Sequence, residues 1–190
     1  MPATPPVPPL HVERVRGIDL SFRTRPGVFS ARGLDDGTRL LIERVDLTGA
    51  TLVADLGCGA GPLGIAAAKL APNAHVHLLD EHLRAVDVAR DNLRLNGVRN
   101  AEVFLSDLFS AVGGARYSHI LSNAPARLGN DFLEELVHAS LAHLASGGAL
   151  WLVVVANVRP VFERLLARAG APAEVVARGR QHAVLRARRP

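Results

Sequence analysis

Cysteine is almost absent from this chain: Cys58 is the only one in 190 residues. A single thiol can form no intrachain disulfide and no cysteine-based zinc site, which fits a reducing compartment. Lysine is equally scarce, with Lys69 the only one among 22 Lys and Arg residues, so positive charge is carried by arginine. No apolar run approaches the roughly 18 residues that a membrane helix needs. The longest, Ala149 to Ala156, suits a strand buried on both faces. The start of the chain, Met1-Pro-Ala-Thr-Pro-Pro-Val-Pro-Pro9, lacks the basic residues and apolar stretch of a secretory signal, and proline at that density cannot form a helix. We expect a soluble cytoplasmic protein with a disordered Pro-rich tail over residues 1–10 and one domain over residues 11–190, long enough to bury a substantial core. His75 and His77 would share one face of a strand, but no Asp or Glu stands near them in sequence at ligand spacing, so no metal site is expected.

Charge is distributed unevenly. From Arg159 to the end, eight arginines stand against Glu163 and Glu174, a net +6 within a chain whose total is +4, so the remainder carries −2. A basic C-terminal segment suggests an anionic partner, nucleic acid first among them. A solvated arginine surface would look the same, because net charge speaks to non-specific attraction rather than to a site.

After the tail, alternation over His11–Phe22 predicts a short strand or hairpin, and Thr24 to Ser30 reads as a turn-rich loop. Asp35 or Asp36 can cap a helix that runs to about Val45 with Leu40, Leu41 and Val45 toward the core. Strands follow at 51–55, 74–79, 101–105, 117–121, 149–155, 173–177 and 182–186. Helices fill most gaps, one with Leu83, Val86, Ala89 and Leu93 on its apolar face, closed by Asn96-Gly97, and one with Val158, Val161, Phe162, Leu165, Leu166 and Ala169. This alternation implies an α/β domain, a mainly parallel sheet with helices on both faces.

The strongest local signal is Val53-Ala-Asp-Leu-Gly57-Cys-Gly59-Ala-Gly61-Pro-Leu-Gly64, set between a strand and a helix. Glycines there let the backbone turn sharply and approach a ligand closely. The stretch alone is ambiguous, since Gly59-Ala-Gly61-Pro-Leu-Gly64 also spells the dinucleotide pattern and Asp80 would serve a nicotinamide ribose equally well. Three observations favour S-adenosylmethionine. Asp55, two residues before the first glycine, suits a cationic amino-acid moiety and would repel a pyrophosphate. No separate substrate domain is expected after the sheet. Asn123-Ala-Pro125 stands at the end of the fourth strand, where the open edge of such a sheet holds a reacting group.

Phe22-Arg-Thr-Arg-Pro-Gly-Val-Phe-Ser30 with Gly33-Leu-Asp-Asp-Gly-Thr38, then Asp55 to Gly61, then Ser122-Asn-Ala-Pro125 resembles the methyltransferase small domain, the catalytic half of bacterial ribosomal RNA guanine-N2 methyltransferases. The resemblance runs from about Phe22 onward, and the N-terminal loop motif is its most specific part. It implies a Rossmann-like class I methyltransferase fold with seven strands, one of them antiparallel near the C-terminus. It implies that Asp55, Gly57, Gly59 and Gly61 line the methionine and ribose side of S-adenosylmethionine, that Asp80 takes the ribose hydroxyls, and that Asp107 and Leu108 lie near the adenine. Asn123 and Pro125 would form the catalytic loop, with ribosomal RNA as the substrate.

In that family the loop reads Asn-Pro-Pro-Phe with a following histidine and glycine; here it is Asn123-Ala-Pro-Ala-Arg-Leu-Gly129. The first proline, the aromatic residue and the histidine are missing. An asparagine oxygen and a nearby carbonyl can accept the two hydrogens of an exocyclic amine and aim its lone pair at a methyl donor. The absent phenylalanine would have stacked on the target base; Arg127 can lay its planar guanidinium there, whereas Phe132 is expected in the core of the next helix. Two alternatives to an RNA guanine amine stay open, namely a protein or small-molecule acceptor and a non-catalytic RNA-binding domain of the same fold.

Overall fold

A computed structural model describes residues 9–25, 33–124 and 129–189. The expected tail thus falls almost wholly outside the described residues, as do Pro125, Arg127 and most of the N-terminal loop motif. Leu10 already stands in a strand.

Two strands, β1 (Leu10–Val15) and β2 (Ile18–Arg23), pair antiparallel as a hairpin separate from the main sheet. Then come α1 (Asp36–Arg44), β3 (Leu52–Leu56), α2 (Pro62–Leu70), β4 (His75–Asp80), α3 (Leu83–Leu95), β5 (Ala101–Leu105), β6 (Tyr117–Asn123), α4 (Asn130–His143), β7 (Leu144–Val155), α5 (Arg159–Arg168), β8 (Glu174–Arg178) and β9 (His182–Arg188). Strands β5-β4-β3-β6-β7-β9-β8 form one seven-stranded sheet, parallel except where β9 runs antiparallel to both neighbours. The expected fold class is borne out.

Alternation along β7 shows why helices cover both faces. Ala149, Trp151 and Val153 join the core under α1, α2 and α3, while Leu150, Leu152 and Val154 join the core under α4 and α5. Strand β7 also begins five residues before its expected start, because a register shift between Tyr117 and His119 lets the strand absorb Ser146-Gly-Gly148, which by composition reads as a turn. On α3 the apolar face holds for Val86, Ala89 and Leu93, but Leu83 is 58% exposed at the helix's first position.

Side-chain amides tie the hairpin to this frame. Asn92, 1% exposed, accepts from the Arg23 N–H at 2.8 Å and donates to the carbonyl of Ala60 in the glycine loop at 2.8 Å. Arg16 caps carbonyls of α1 and its end, Ile42 at 3.2 Å and Val45 at 2.6 Å. The strand that leads into the N-terminal motif is thereby anchored to the loop on which the site is built.

Candidate active site

The chain runs outward from β3 to β4 and β5, then returns and crosses to β6 and β7 on the other side. Ligands of open α/β sheets bind beyond the carboxyl ends of the strands at such a reversal. A cleft of about 690 Å³ opens there, lined by Leu56 and Gly57 at the end of β3, Asp80 and Glu81 at the end of β4, Ser106 to Leu108 after β5 and Asn123 ending β6. Asp35, Phe132 and His182 close its other side.

The glycine loop is held from behind by two carboxylates. Asp55 Oδ2 accepts the Gly64 N–H at 2.7 Å and Asp80 Oδ2 accepts the Gly59 N–H at 2.8 Å. Asp55 is 1% exposed, and its burial, with the charge of Asp80 added, pushes its pKa up to about 7 against the lowering effect of the Gly64 bond. It does not line the cleft. One oxygen of Asp55 serves the loop itself: Oδ2 satisfies the orphan N–H that the first turn of α2 offers at Gly64. Gly59 and Gly61 are buried as well; Gly61 takes φ +86°, and a Cβ there would come 3.0 Å from Leu78 and 3.3 Å from Ala89, so the residue serves the packing of the loop against β4 and α3. Gly57 alone of the three faces the cleft, with open space where a Cβ would be.

Asp80 lines the cleft where expected, its Oδ1 accepting the His82 N–H at 2.9 Å with His82 Nδ1 3.3 Å away, while Oδ2 retains a lone pair beyond its bond to Gly59. Asp107 and Leu108 are also in the wall. Leu108 takes φ +45°, a conformation uncommon outside glycine, and Ser106 sustains it by donating to the Leu108 carbonyl at 2.9 Å and accepting from Ala111 N–H at 3.1 Å. Buried Cys58 has its thiol pKa raised by burial, which keeps it a packing residue.

Asn123 ends β6 with its side chain locked. Nδ2 donates to Asp35 Oδ1 at 3.0 Å and to Thr38 Oγ1 at 2.9 Å. A carboxylate only accepts, so the amide nitrogen must face it. With both amide hydrogens engaged, Oδ1 is the group this residue can offer to a ligand. Asp35 meanwhile caps α1 through the Thr38 N–H. Gly37 leaves room beside it for the His182 ring, which a Cβ at position 37 would meet at 3.0 Å. Asp35, Thr38 and His182 are not among the expected site residues; the Asp-Asp-Gly-Thr stretch signals a helix cap and belongs to the family motif, but nothing local ties Thr38 to Asn123, 85 residues away. Phe132 packs against the core from α4 as expected, but it is only partly buried and also forms part of the cleft wall.

Away from the cleft, the register of β4 with β5 sets Glu102 beside His77, so an acid does stand near His75 and His77, a proximity that spacing along one strand could not reveal. His77 Nδ1 bonds the Tyr117 hydroxyl at 3.0 Å. None of these residues lines the cleft. The C-terminal arginines divide between fold and surface: Arg186 pairs with Glu174 at 2.5 Å and lies over Trp151, Arg159 pairs with Glu163, and Arg189 donates to the Leu144 carbonyl.

The family model for the methyltransferase small domain matches residues 19–186. The chain belongs to that family. Membership bears out methyl transfer as its chemistry and S-adenosylmethionine as its methyl donor. Among curated proteins it is similar to the uncharacterized protein YbxB of Bacillus subtilis, 37% identical over 145 residues, which are 74% of this chain and 71% of the relative. It is also 42% identical to ribosomal RNA small subunit methyltransferase C of Citrobacter koseri over 139 residues, 71% of this chain but 40% of that protein. Among solved structures, the T. thermophilus 16S rRNA N2 methyltransferase in complex with AdoMet and guanosine superposes with a TM-score of 0.85 at 26% identity, over all of this chain and 52% of that one. The chain therefore spans about half or less of the named rRNA methyltransferases. Among the described residues no helix is long and apolar enough to cross a membrane.

Proposed function

We propose that this domain transfers the methyl group of S-adenosylmethionine to the exocyclic amine of guanine in ribosomal RNA. The donor side rests on the charge of the cleft. Its described wall carries Asp35, Asp80, Glu81 and Asp107 and no Lys or Arg, a field that suits a ligand bearing a sulfonium and an ammonium and opposes a pyrophosphate. Asp80 would hold the ribose hydroxyls, and the open space at Gly57 would admit the ligand against the backbone. The donor supplies an electrophilic methyl group.

The observation that carries the acceptor side is the locked amide of Asn123. With Nδ2 committed to Asp35 and Thr38, Oδ1 accepts a hydrogen from the incoming amine and holds the nitrogen lone pair in line with the methyl carbon. The N–C bond forms as the C–S bond breaks, its electrons neutralise the sulfonium, and the surplus amine proton leaves to water. Catalysis then comes from positioning more than from a strong base. Phe132 offers an apolar face for the base, in the role the missing loop phenylalanine would fill. The base reaches the cleft swung out of its stack. Similarity to rRNA methyltransferases, one of them solved with guanosine, supports this choice of acceptor.

The test is transfer of labelled methyl from S-adenosylmethionine to small ribosomal subunits that lack the modification, followed by nucleoside digestion and mass spectrometry. Label in N2-methylguanosine is expected. Label confined to protein, or to another nucleoside, would overturn the acceptor.

A further inference from the structure

Asp35 presents an oxygen that its own fold does not use. Oδ1 takes both available donors, the Thr38 N–H at 3.0 Å and Asn123 Nδ2 at 3.0 Å. Oδ2 is buried and has no hydrogen-bond partner among the described residues, although the side chain belongs to the cleft wall beside Asn123 and Phe132. Buried polar atoms are nearly always satisfied, and one left over at a binding cleft calls for a donor that arrives with the ligand.

The chemistry of the bases says which ligand that is. Guanine presents two adjacent donors, the 2-amino group and N1–H. Adenine and cytosine set an accepting ring nitrogen beside their exocyclic amine, and a carboxylate would face its lone pair. We propose that Asp35 is the residue that selects guanine, with Oδ2 accepting N1–H while Asn123 Oδ1 accepts from the 2-amino group. This assignment rests on the acceptor reading above and adds to it a specificity determinant outside the catalytic loop.

The two donors at Oδ1 make the assignment testable by a swap. In Asp35→Asn, Thr38 N–H and Asn123 Nδ2 still require an acceptor, so the new amide keeps its oxygen toward them and sets its NH2 where Oδ2 was; asparagine caps helices as well as aspartate, so α1 is retained. Guanosine and 2,6-diaminopurine riboside share the 2-amino group and differ in N1, which donates in the first and accepts in the second. Both are titrated by calorimetry into the full chain saturated with S-adenosylhomocysteine. The unmodified protein should bind guanosine about 10- to 100-fold more tightly. Asp35→Asn should bring that ratio to about one or reverse it, and Asp35→Ser, which keeps a capping oxygen but lacks Oδ2, should bring it to about one. A guanosine preference that survives both substitutions, or is missing in the unmodified protein, overturns the role of Asp35 while guanosine binding leaves the acceptor reading standing. If the unmodified protein binds neither nucleoside, both fall together.

Discussion

The two sides of the cleft are built differently. On the donor side, one continuous stretch from Asp55 to Gly64 makes the loop, and two carboxylates, Asp55 within it and Asp80 at the end of β4, hold its backbone at Gly64 and Gly59. On the acceptor side, the N-terminus of α1, the end of β6, α4 and the start of β9 each contribute one or two side chains, joined by contacts such as Asp35 to Asn123 across 88 residues. A rigid backbone cradle suits a ligand that never varies. A wall made of side chains can change with the acceptor while the cradle stays, which is how this chain can keep its glycine loop and yet carry Ala124 and Ala126 where the family has Pro and Phe.

This division predicts where substitutions separate binding from turnover. Asn123→Ala should reduce methyl transfer by roughly 100-fold or more while leaving the dissociation constant for S-adenosylmethionine nearly unchanged, read by single-turnover kinetics beside calorimetry. Asn123→Asp should be no milder. Its carboxylate would face Asp35 at the 3.0 Å now spanned by a hydrogen bond, so the two acids repel or share a proton and the locked geometry is lost. Substantial activity in Asn123→Asp would mean that Asp35 does not set the orientation of residue 123.

On the donor side the effect should fall on affinity. Asp80→Ala removes a carboxylate that holds Gly59 and His82 and faces the ribose position, and hydrogen bonds to charged groups contribute about 1.5–3 kcal/mol, so binding of S-adenosylhomocysteine should weaken about 10- to 100-fold. Asp80→Asn keeps one accepting oxygen and should lose less. Equal affinity in all three proteins would remove Asp80 from the ligand.

The same contrast explains what the sequence made legible. Strand and helix periods, the cap at Asp35 and the glycine loop are local patterns, and apart from the early start of β7 they lie within a few residues of their expected places. The amide lock needs Asp35, Thr38 and Asn123 together, and no local pattern relates residues so far apart. Asp55 shows a different limit: its motif suggests a carboxylate for a cationic ligand, but only the path of α2 shows that its Oδ2 also holds the Gly64 N–H. Phe132 sits on a well-formed helix, and its partial exposure follows from the first turn of α4 bordering the cleft.

Asp55 also makes the resting protein sensitive to pH. Its folded pKa, about 7, lies above the ordinary carboxylate value, so the unfolded chain gives up this proton more readily than the folded one. The stability tied to this group is complete below about pH 4 and is lost progressively as pH rises through 7. Asn can still accept the Gly64 N–H without a buried charge, so Asp55→Asn should raise the melting temperature of the ligand-free protein at pH 8 by a few degrees and have a clearly smaller effect near pH 5. A difference that is the same at both values would show that charge at position 55 is not what limits stability.

The smallest expected effect concerns the rim. Arg186 and Arg189 already serve the fold, so removing them would confuse stability with RNA binding. Arg178 and Arg180 are better probes: both are exposed, neither has an ion-pair partner among the described residues, and Arg178 ends β8 while Arg180 lies in the turn that leads into His182 at the cleft. If phosphates of the bound strand pass over this turn, each arginine that meets one displaces counterions. Replacing both by glutamine should then flatten the plot of log affinity against log salt by about 1.4 for single-stranded RNA and weaken binding alike for all sequences. Guanine preference should not change, because base choice is assigned to Asp35 and Asn123 deep in the cleft and phosphate contacts carry no sequence information. An unaltered salt slope would place the RNA backbone elsewhere on the molecule. A changed base preference would mean that the rim and the acceptor wall act as one unit, against the separation of tasks that the two sides of the cleft otherwise show.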